Sequence, residues 1–142
     1  MEPHTRYCQS ADGVRVPYTI LGRGPVLLYV PAWGTSNITL DLERRECRTF
    51  FDRLAQARTM VYLTRRVISA RDAAPEAHLF AAQLSDIGAV LDAVDAPSCD
   101  LFAMDDGTSL AVAFAAESPA RVQHLVLWAP YARTSTRMRS RR

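Results

Sequence analysis

The sequence lacks any long hydrophobic run. No apolar stretch among its 142 residues approaches the roughly 20 residues that a membrane-spanning helix needs, so we predict no membrane association. The first five residues, Met1 to Thr5, contain neither the basic nor the apolar region of a secretory signal. A chain of this length has room for one domain with one core.

Cysteine is scarce and widely spaced. The three cysteines, Cys8, Cys47 and Cys99, form no Cys-x-x-Cys pair, which argues against a disulfide scaffold and favours the reduced thiols of a cytoplasmic protein. The chain also lacks the Gly-x-Gly-x-x-Gly and phosphate-loop motifs, and no His, Cys or Asp spacing is typical of a metal site. We therefore predict no cofactor and no metal.

Lysine is absent, so all 17 positive charges are arginines. Residues 1–132 carry 12 arginines and 15 acidic residues, whereas residues 133–142 carry five arginines and no acid. The net charge of +2 is thus a property of the last ten residues, which contain no aromatic side chain. We predict a domain over residues 1–132 and a basic, disordered tail over residues 133–142, and we do not expect nucleic-acid binding.

Alternation of apolar runs with helical patterns predicts an α/β fold. A turn signal at Ala11-Asp12-Gly13 joins two strand-like runs into a hairpin. The apolar runs that follow have the length of buried parallel strands, and they alternate with three main helical segments. The predicted strands are residues 6–10, 14–21, 26–30, 60–63, 99–103 and 122–129, and the predicted helices are residues 40–57, 75–94 and 107–117.

The most informative segment runs from Cys99 to Leu110. It combines a buried strand, a sharp turn and a helix rich in small residues. Small residues at Ala103, Gly107 and Thr108 fit the pattern of a nucleophile elbow, in which the reactive side chain stands at the tip of a strand-to-helix turn. Asp105 occupies the tip.

The order of elements and several short motifs resemble the N-terminal half of the α/β-hydrolase fold, over residues 6–131. The matching motifs are Val-Pro-Tyr at residues 16–18, Val-Pro-Ala-Trp at residues 30–33 and Ser-Pro-Ala-Arg-Val at residues 118–122. The sequences of these motifs are similar to those of hydrolase-like domains found beside nucleotide-cyclase or DNA-binding regulatory domains. Of the Asp-x-Arg-Gly-x-Gly-x-Ser loop that usually follows the fourth strand, only Arg66 is present.

The resemblance implies hydrolysis, with departures at the site itself. Most relatives have serine at the elbow tip, whereas haloalkane dehalogenases and epoxide hydrolases have aspartate, as Asp105 is here, usually followed by an aromatic residue. This chain has Asp106 instead, which adds negative charge where an oxyanion would bind. The oxyanion-hole amides implied by the family are those of Trp33 and Asp106. Asp105 is also a favoured helix cap, so capping without covalent chemistry is an alternative.

A catalytic base is missing from the predicted site. The strands that follow the sixth strand in the family, and the late histidine, have no counterpart in these residues. His4 precedes the first strand, His124 lies four to five residues below the elbow's edge of the sheet, and His78 begins a helix on a more distant strand. Hydrolysis would therefore need a base from another chain or segment.

Three functional hypotheses remain open at this stage. The chain is a hydrolase with an incomplete site that acts on an ester-like substrate, a non-catalytic domain that binds a small apolar ligand, or a fragment without independent function. The last strand, from Val122 to Ala129, would form an exposed apolar edge. Such an edge is a template for pairing, so we also predict self-association.

Overall fold

The computed structural model describes residues 4–32, 37–66 and 76–130, with side chains from residue 79 onward in the last range. Six strands and four helices alternate along the chain. The strands are β1 (Thr5–Gln9), β2 (Arg15–Leu21), β3 (Val26–Val30), β4 (Thr59–Leu63), β5 (Cys99–Met104) and β6 (Val122–Trp128). The helices are α1 (Ile38–Glu43), α2 (Arg45–Ala55), α3 (Glu76–Ala93) and α4 (Gly107–Glu117).

The six strands form one sheet in the order β1-β2-β4-β3-β5-β6. The hairpin strands pair antiparallel, and β2 joins β4 antiparallel. From β4 to β6 all neighbours are parallel. Consequently β4, β3, β5 and β6 all end at the same edge of the sheet, and the turn after β5 lies at that edge.

Helices cover both faces of the sheet. On one face, α3 and α4 pack over a cluster that includes Leu28, Val61, Ile87, Leu101 and Leu110. On the other, α1 and α2 pack over a cluster built from Tyr29, Phe51, Met60, Tyr62 and Phe102. Burial on both faces explains why the central strands are continuous apolar runs in the sequence.

The predicted fold class, a partial α/β-hydrolase arrangement with about six strands, is confirmed, and strand bounds shift by at most one residue. The predicted single helix over residues 40–57 is wrong, because two helices occupy this segment and the total is four rather than three. They meet at Arg44, whose φ of −85° and ψ of 119° are extended. The Asn37 side chain accepts bonds from the Thr39 and Leu40 amides and begins α1.

None of the helices in the described ranges is long and apolar enough to cross a membrane. The predicted basic tail over residues 133–142 lies outside the described residues.

Candidate active site at the elbow

The turn between β5 and α4, where the sequence predicts an elbow, is sharp and left-handed at its tip. Asp105 has a φ of 47°, a left-handed conformation that non-glycine residues adopt rarely and often at functional sites. The Thr108 amide and hydroxyl both donate to the Asp105 carbonyl. A Cβ at Gly107 would lie 2.7 Å from the Val30 carbonyl oxygen and 2.8 Å from that of Pro31. The small residue predicted at this position is therefore required by the close approach of the end of β3.

The Asp105 carboxylate is exposed and makes no hydrogen bond or ion pair with the described residues. The capping alternative is wrong for this residue, because the N-cap position of α4 belongs to Asp106 and no side-chain cap bond is formed there. The Asp105 amide donates to the Trp128 carbonyl at 3.0 Å. The elbow is therefore tied to the end of β6 through its backbone, which leaves its carboxylate available.

A buried arginine neutralises the charge beside the elbow. Nη1 of Arg65, whose side chain is 5% exposed, lies 2.5 Å from Oδ2 of Asp106. The same nitrogen donates to the Pro31 carbonyl, and Nε donates to Gln83 of α3. The negative charge that the sequence places at Asp106 is therefore paired with a buried arginine.

A cavity of about 430 Å³ lies beside the elbow on the α1–α2 face. Its walls are mainly aromatic or apolar, from Tyr29, Phe50, Phe51, Phe102, Met104 and Trp128. Asp41, Arg44, Glu46 and Asp105 supply its charged groups. We call this space the elbow cavity. Its size and lining match sites for small, largely apolar molecules.

Two tyrosines of this face are held in place by hydrogen bonds and stay neutral. The Tyr29 hydroxyl donates to the Met104 sulfur at 3.0 Å, and the Tyr62 hydroxyl donates to Asp41 at 2.6 Å. Burial, and then the negative charge of Asp41, raise the pKa of Tyr29 well above its ordinary value. Burial and the Asp41 hydrogen bond do the same for the pKa of Tyr62. Neither phenol supplies an anion to the site at neutral pH.

The other predicted site residues are only partly brought together. The Asp106 amide lies at the start of α4, next to Asp105. Trp33 lies outside the described residues, so its amide has no assigned place. His4 precedes β1, four strands from β5 at roughly 4.8 Å per strand. Only the backbone of His78 is described, as part of α3.

His124 lies at the start of β6, where the register pairs it with Asp100 rather than with the elbow. Its Nδ1 is 2.7 Å from Oδ1 of Asp100, and Nη1 of Arg58 is 2.6 Å from the other carboxylate oxygen. This histidine–aspartate pair was not predicted from the sequence. The signal was present, because both residues stand near the beginning of adjacent parallel strands.

Arg66, the residue retained from the family loop, has a structural role here. It bonds Asp86 of α3 through two nitrogens and Asp12 of the hairpin turn through Nη1 at 2.7 Å. Hydrogen bonds to Asp86, and then to Asp12, raise the pKa of Arg66. The Arg66 bond in turn lowers the pKa of Asp12. Val67 and Ser69, which stand in the same loop where the family pattern has glycines, lie outside the described residues.

No sequence profile of a protein family and no curated protein sequence matches the chain. Solved structures do. An α/β hydrolase from Sphaerobacter thermophilus is 26% identical, with a TM-score of 0.68 over 92% of this chain and 47% of its own. An epoxide hydrolase from Vigna radiata is 18% identical, with a TM-score of 0.70 over 89% and 39%. An esterase from Rhodococcus sp. is 20% identical, with a TM-score of 0.69 over 87% and 44%.

The chain thus spans less than half the length of the structures it matches. These matches lend no support to the narrower resemblance to nucleotide-cyclase-associated domains. They agree with the observed sheet order in assigning the fold. The chain belongs to the α/β-hydrolase fold superfamily, within which it matches the part from the hairpin to the strand after the elbow.

Proposed function

We propose that Asp105 is a carboxylate nucleophile. It attacks an electrophilic carbon of a small apolar substrate, such as an epoxide or an ester-like compound. The observation that carries this proposal is the placement of Asp105. Its carboxylate is exposed, without a hydrogen bond or ion pair to the described residues, at a left-handed turn beside the elbow cavity. A residue held in such a conformation needs a reason, and presentation of a reactive group is one.

The first chemical step needs only groups at the elbow. With an epoxide, one Asp105 oxygen forms a bond to a ring carbon, the ring C–O bond breaks, and the alkoxide takes a proton from water. The product is an ester of Asp105. Its hydrolysis passes through an oxyanion, for which the Asp106 amide at the start of α4 is a suitable donor. Pairing of Asp106 with Arg65 removes the repulsion that this oxyanion would otherwise meet.

No histidine side chain that the structure describes lies near Asp105. This observation favours a second candidate function, binding of a small apolar ligand without turnover. The elbow cavity would then be a sensor pocket, and Asp105 a polar contact at its mouth. The third hypothesis, a fragment without function, differs from both because it expects neither binding nor reaction.

The test is intact-mass analysis of the chain after incubation with styrene oxide, a small aryl epoxide. We expect one adduct, mapped to Asp105, and its loss in Asp105→Asn. Asp52→Asn is the matched control, because Asp52 is an exposed carboxylate on α2 whose side chain is 62% exposed and which does not line the cavity.

The alternatives give different results. Quenching of tryptophan fluorescence by the epoxide or its diol, lost in Trp128→Phe and unaccompanied by any adduct, would support the ligand-binding domain. Adducts distributed equally over Asp52 and Asp105 would refute a special reactivity at the elbow. A folded chain that shows neither quenching nor an adduct would favour the fragment hypothesis.

A further inference from the structure

We infer that a second copy of this chain pairs with β6 edge to edge and supplies its His124 to the site at Asp105. The catalytic part of this inference rests on the proposed function, whereas the pairing itself does not. A two-fold dimer of this kind would bring a histidine close to Asp105, where the described residues of one copy place none.

The β6 edge has the features of a pairing surface. Within the described residues β6 has one neighbour, β5. Its sequence, VQHLVLW, contains no Asp, Glu, Lys, Arg or Pro, although natural edge strands use these residues to prevent pairing. Val126 is 52% exposed and Trp128 is 63% exposed. The opposite edge differs, because the Arg15 guanidinium stacks over Tyr7 of β1 at 4.3 Å.

The exposed side chains of β6 lie on one face. The register pairs Val126 with Phe102 and Trp128 with Met104, and both β5 residues belong to the α1–α2 face. Leu127 packs instead against the cluster under α4. The α1–α2 face is therefore left uncovered along β6, next to Phe50, which is 42% exposed.

The strand is self-complementary in the antiparallel direction. With a two-fold axis at Val126 and normal to the sheet, Val126 faces itself, Leu125 faces Leu127 of the second copy, and His124 faces Trp128 of the second copy. Each cross-strand pair is apolar or histidine–aromatic, and no like charges meet. This match between β6 and its own copy is why we assign the edge to a second copy rather than to an unrelated protein.

The surface is that of a small dimer. Seven residues give an edge about 23 Å long, and Trp128 alone presents roughly 150 Å². With the remaining β6 side chains and Phe50, the area that each copy would bury reaches several hundred Å². This is less than the roughly 800 Å² that each partner of a standard interface buries. Interfaces of this size are typical of weak, reversible association, so we expect a dissociation constant on the order of micromolar.

Antiparallel pairing solves the placement of the histidine. Within one copy, His124 is at the wrong end of β6, but in the dimer the beginning of one β6 runs beside the end of the other. His124 of the second copy becomes the cross-strand neighbour of Trp128, whose carbonyl accepts from the Asp105 amide. The two Cα atoms, of that histidine and of Asp105, are then two strand spacings apart, roughly 10 Å, on the face of the elbow cavity. Imidazole, one water and an Asp105 ester fill such a gap.

His124 is already arranged as a base. The carboxylate of Asp100 only accepts, so Nδ1 of His124 donates to it, and in a neutral imidazole the lone pair is then on Nε2. The imidazole is 75% exposed, while Asp100 is 8% exposed and held by Arg58. An ordered acidic group behind an exposed imidazole is the arrangement that activates water in hydrolases.

The second chemical step then balances. Nε2 of His124 takes a proton from water, and the resulting hydroxide bonds to Cγ of the Asp105 ester. The ester C–O bond breaks, the leaving alkoxide takes the proton back from His124, and the Asp105 carboxylic acid loses its proton to solvent. Water is the only co-reactant.

Sedimentation velocity tests the pairing. We expect the native chain to be a concentration-dependent dimer and Val126→Lys to weaken dimerisation at least ten-fold, because two lysines would then face each other at the axis. Val112→Lys is the matched control, since Val112 is a 47% exposed valine on α4. A native chain that is still monomeric at a protein concentration about one hundred times the expected micromolar dissociation constant would overturn the proposal. Equal effects of the two lysine substitutions on dimerisation would overturn it as well. Circular dichroism confirms that each variant is folded.

Mixing of two inactive variants tests the trans site. His124→Gln should form the Asp105 ester but not hydrolyse it, and Asp105→Asn should form none. In an equimolar mixture half of the dimers are mixed and each has one complete site, so turnover should return to about a quarter of the native value. An ester that accumulates unchanged in the mixture, or hydrolysis by His124→Gln at the native rate, would refute the role of His124. Failure of the proposed function looks different: the native chain itself forms no ester.

Discussion

At the scale of single residues, Gly107 fixes the shape of the elbow. A methyl group there would meet two carbonyl oxygens of the β3 end at less than 3.0 Å. We expect Gly107→Ala to lower the free energy of unfolding by about 1–3 kcal/mol and to abolish ester formation. Gly88→Ala is the control, because the nearest atom to its added Cβ is a Phe114 ring carbon at 3.9 Å; it should be neutral or stabilising. Urea unfolding of both variants measures the change in the free energy of unfolding. An unchanged midpoint for Gly107→Ala would contradict the expected close contact.

Arg65 is the second residue on which the elbow depends. Its replacement by Met leaves Asp106 and Gln83 without their buried partner. We expect a loss of about 2–3 kcal/mol, below the full cost of breaking a buried pair because the Asp106 side chain is 33% exposed. Adding Asp106→Asn to Arg65→Met should recover part of the loss in a double-mutant cycle. Strict additivity of the two substitutions in urea unfolding would show that they do not interact.

At the scale of elements, the break between α1 and α2 is a property of the backbone at Arg44. Arg44 is extended and Arg45 is the first residue of α2, which is the position and the preceding conformation that proline prefers. We expect Arg45→Pro to change stability by less than about 0.5 kcal/mol, whereas Thr49→Pro, inside α2, should cost about 3 kcal/mol or more. Thermal unfolding of the two variants gives the comparison, and equal losses would place the break elsewhere.

The elements were predictable where burial alone decides the pattern. β3 and β5 are covered on both faces, so their sequences are apolar runs, and the small residues around Asp105 identify the elbow because the close packing there tolerates no side chain. The helix break was missed because the conformation of Arg44 depends on how α1 and α2 each reach the sheet. The Arg65–Asp106 pair joins residues 41 positions apart, and no local pattern indicates which of the 17 arginines Asp106 will contact.

At the scale of the whole molecule, the buried thiol of Cys99 makes stability depend on alkaline pH. Burial, opposed by Arg121, raises the pKa of Cys99 from 9.0 to about 11 in the folded state. The folded chain therefore holds a proton that the unfolded chain releases between these values, so stability is complete below about pH 9 and falls as the pH rises toward 11. The loss should reach about 3 kcal/mol.

Urea midpoints measured from pH 8 to pH 11 test this dependence. Cys99→Ala should be less stable at pH 8 because packing is lost, but it should lack the part of the decline that belongs to the thiol. Parallel curves for the native chain and this variant would mean that other groups cause the decline.

The order of strands in the sheet also bears on how the chain forms during its synthesis. β3 lies at the centre, β4 joins one side of it, and β5 and then β6 add to the other side in the order in which the ribosome delivers them. From β4 onward each strand thus finds a neighbouring strand already made, and β5 and β6 extend the sheet outward in step with translation. Among the described strands, the one made last, β6, is also the outermost on its side of the sheet. Its edge is therefore presented only when the other five described strands have been made, which limits premature association between nascent chains on the same message.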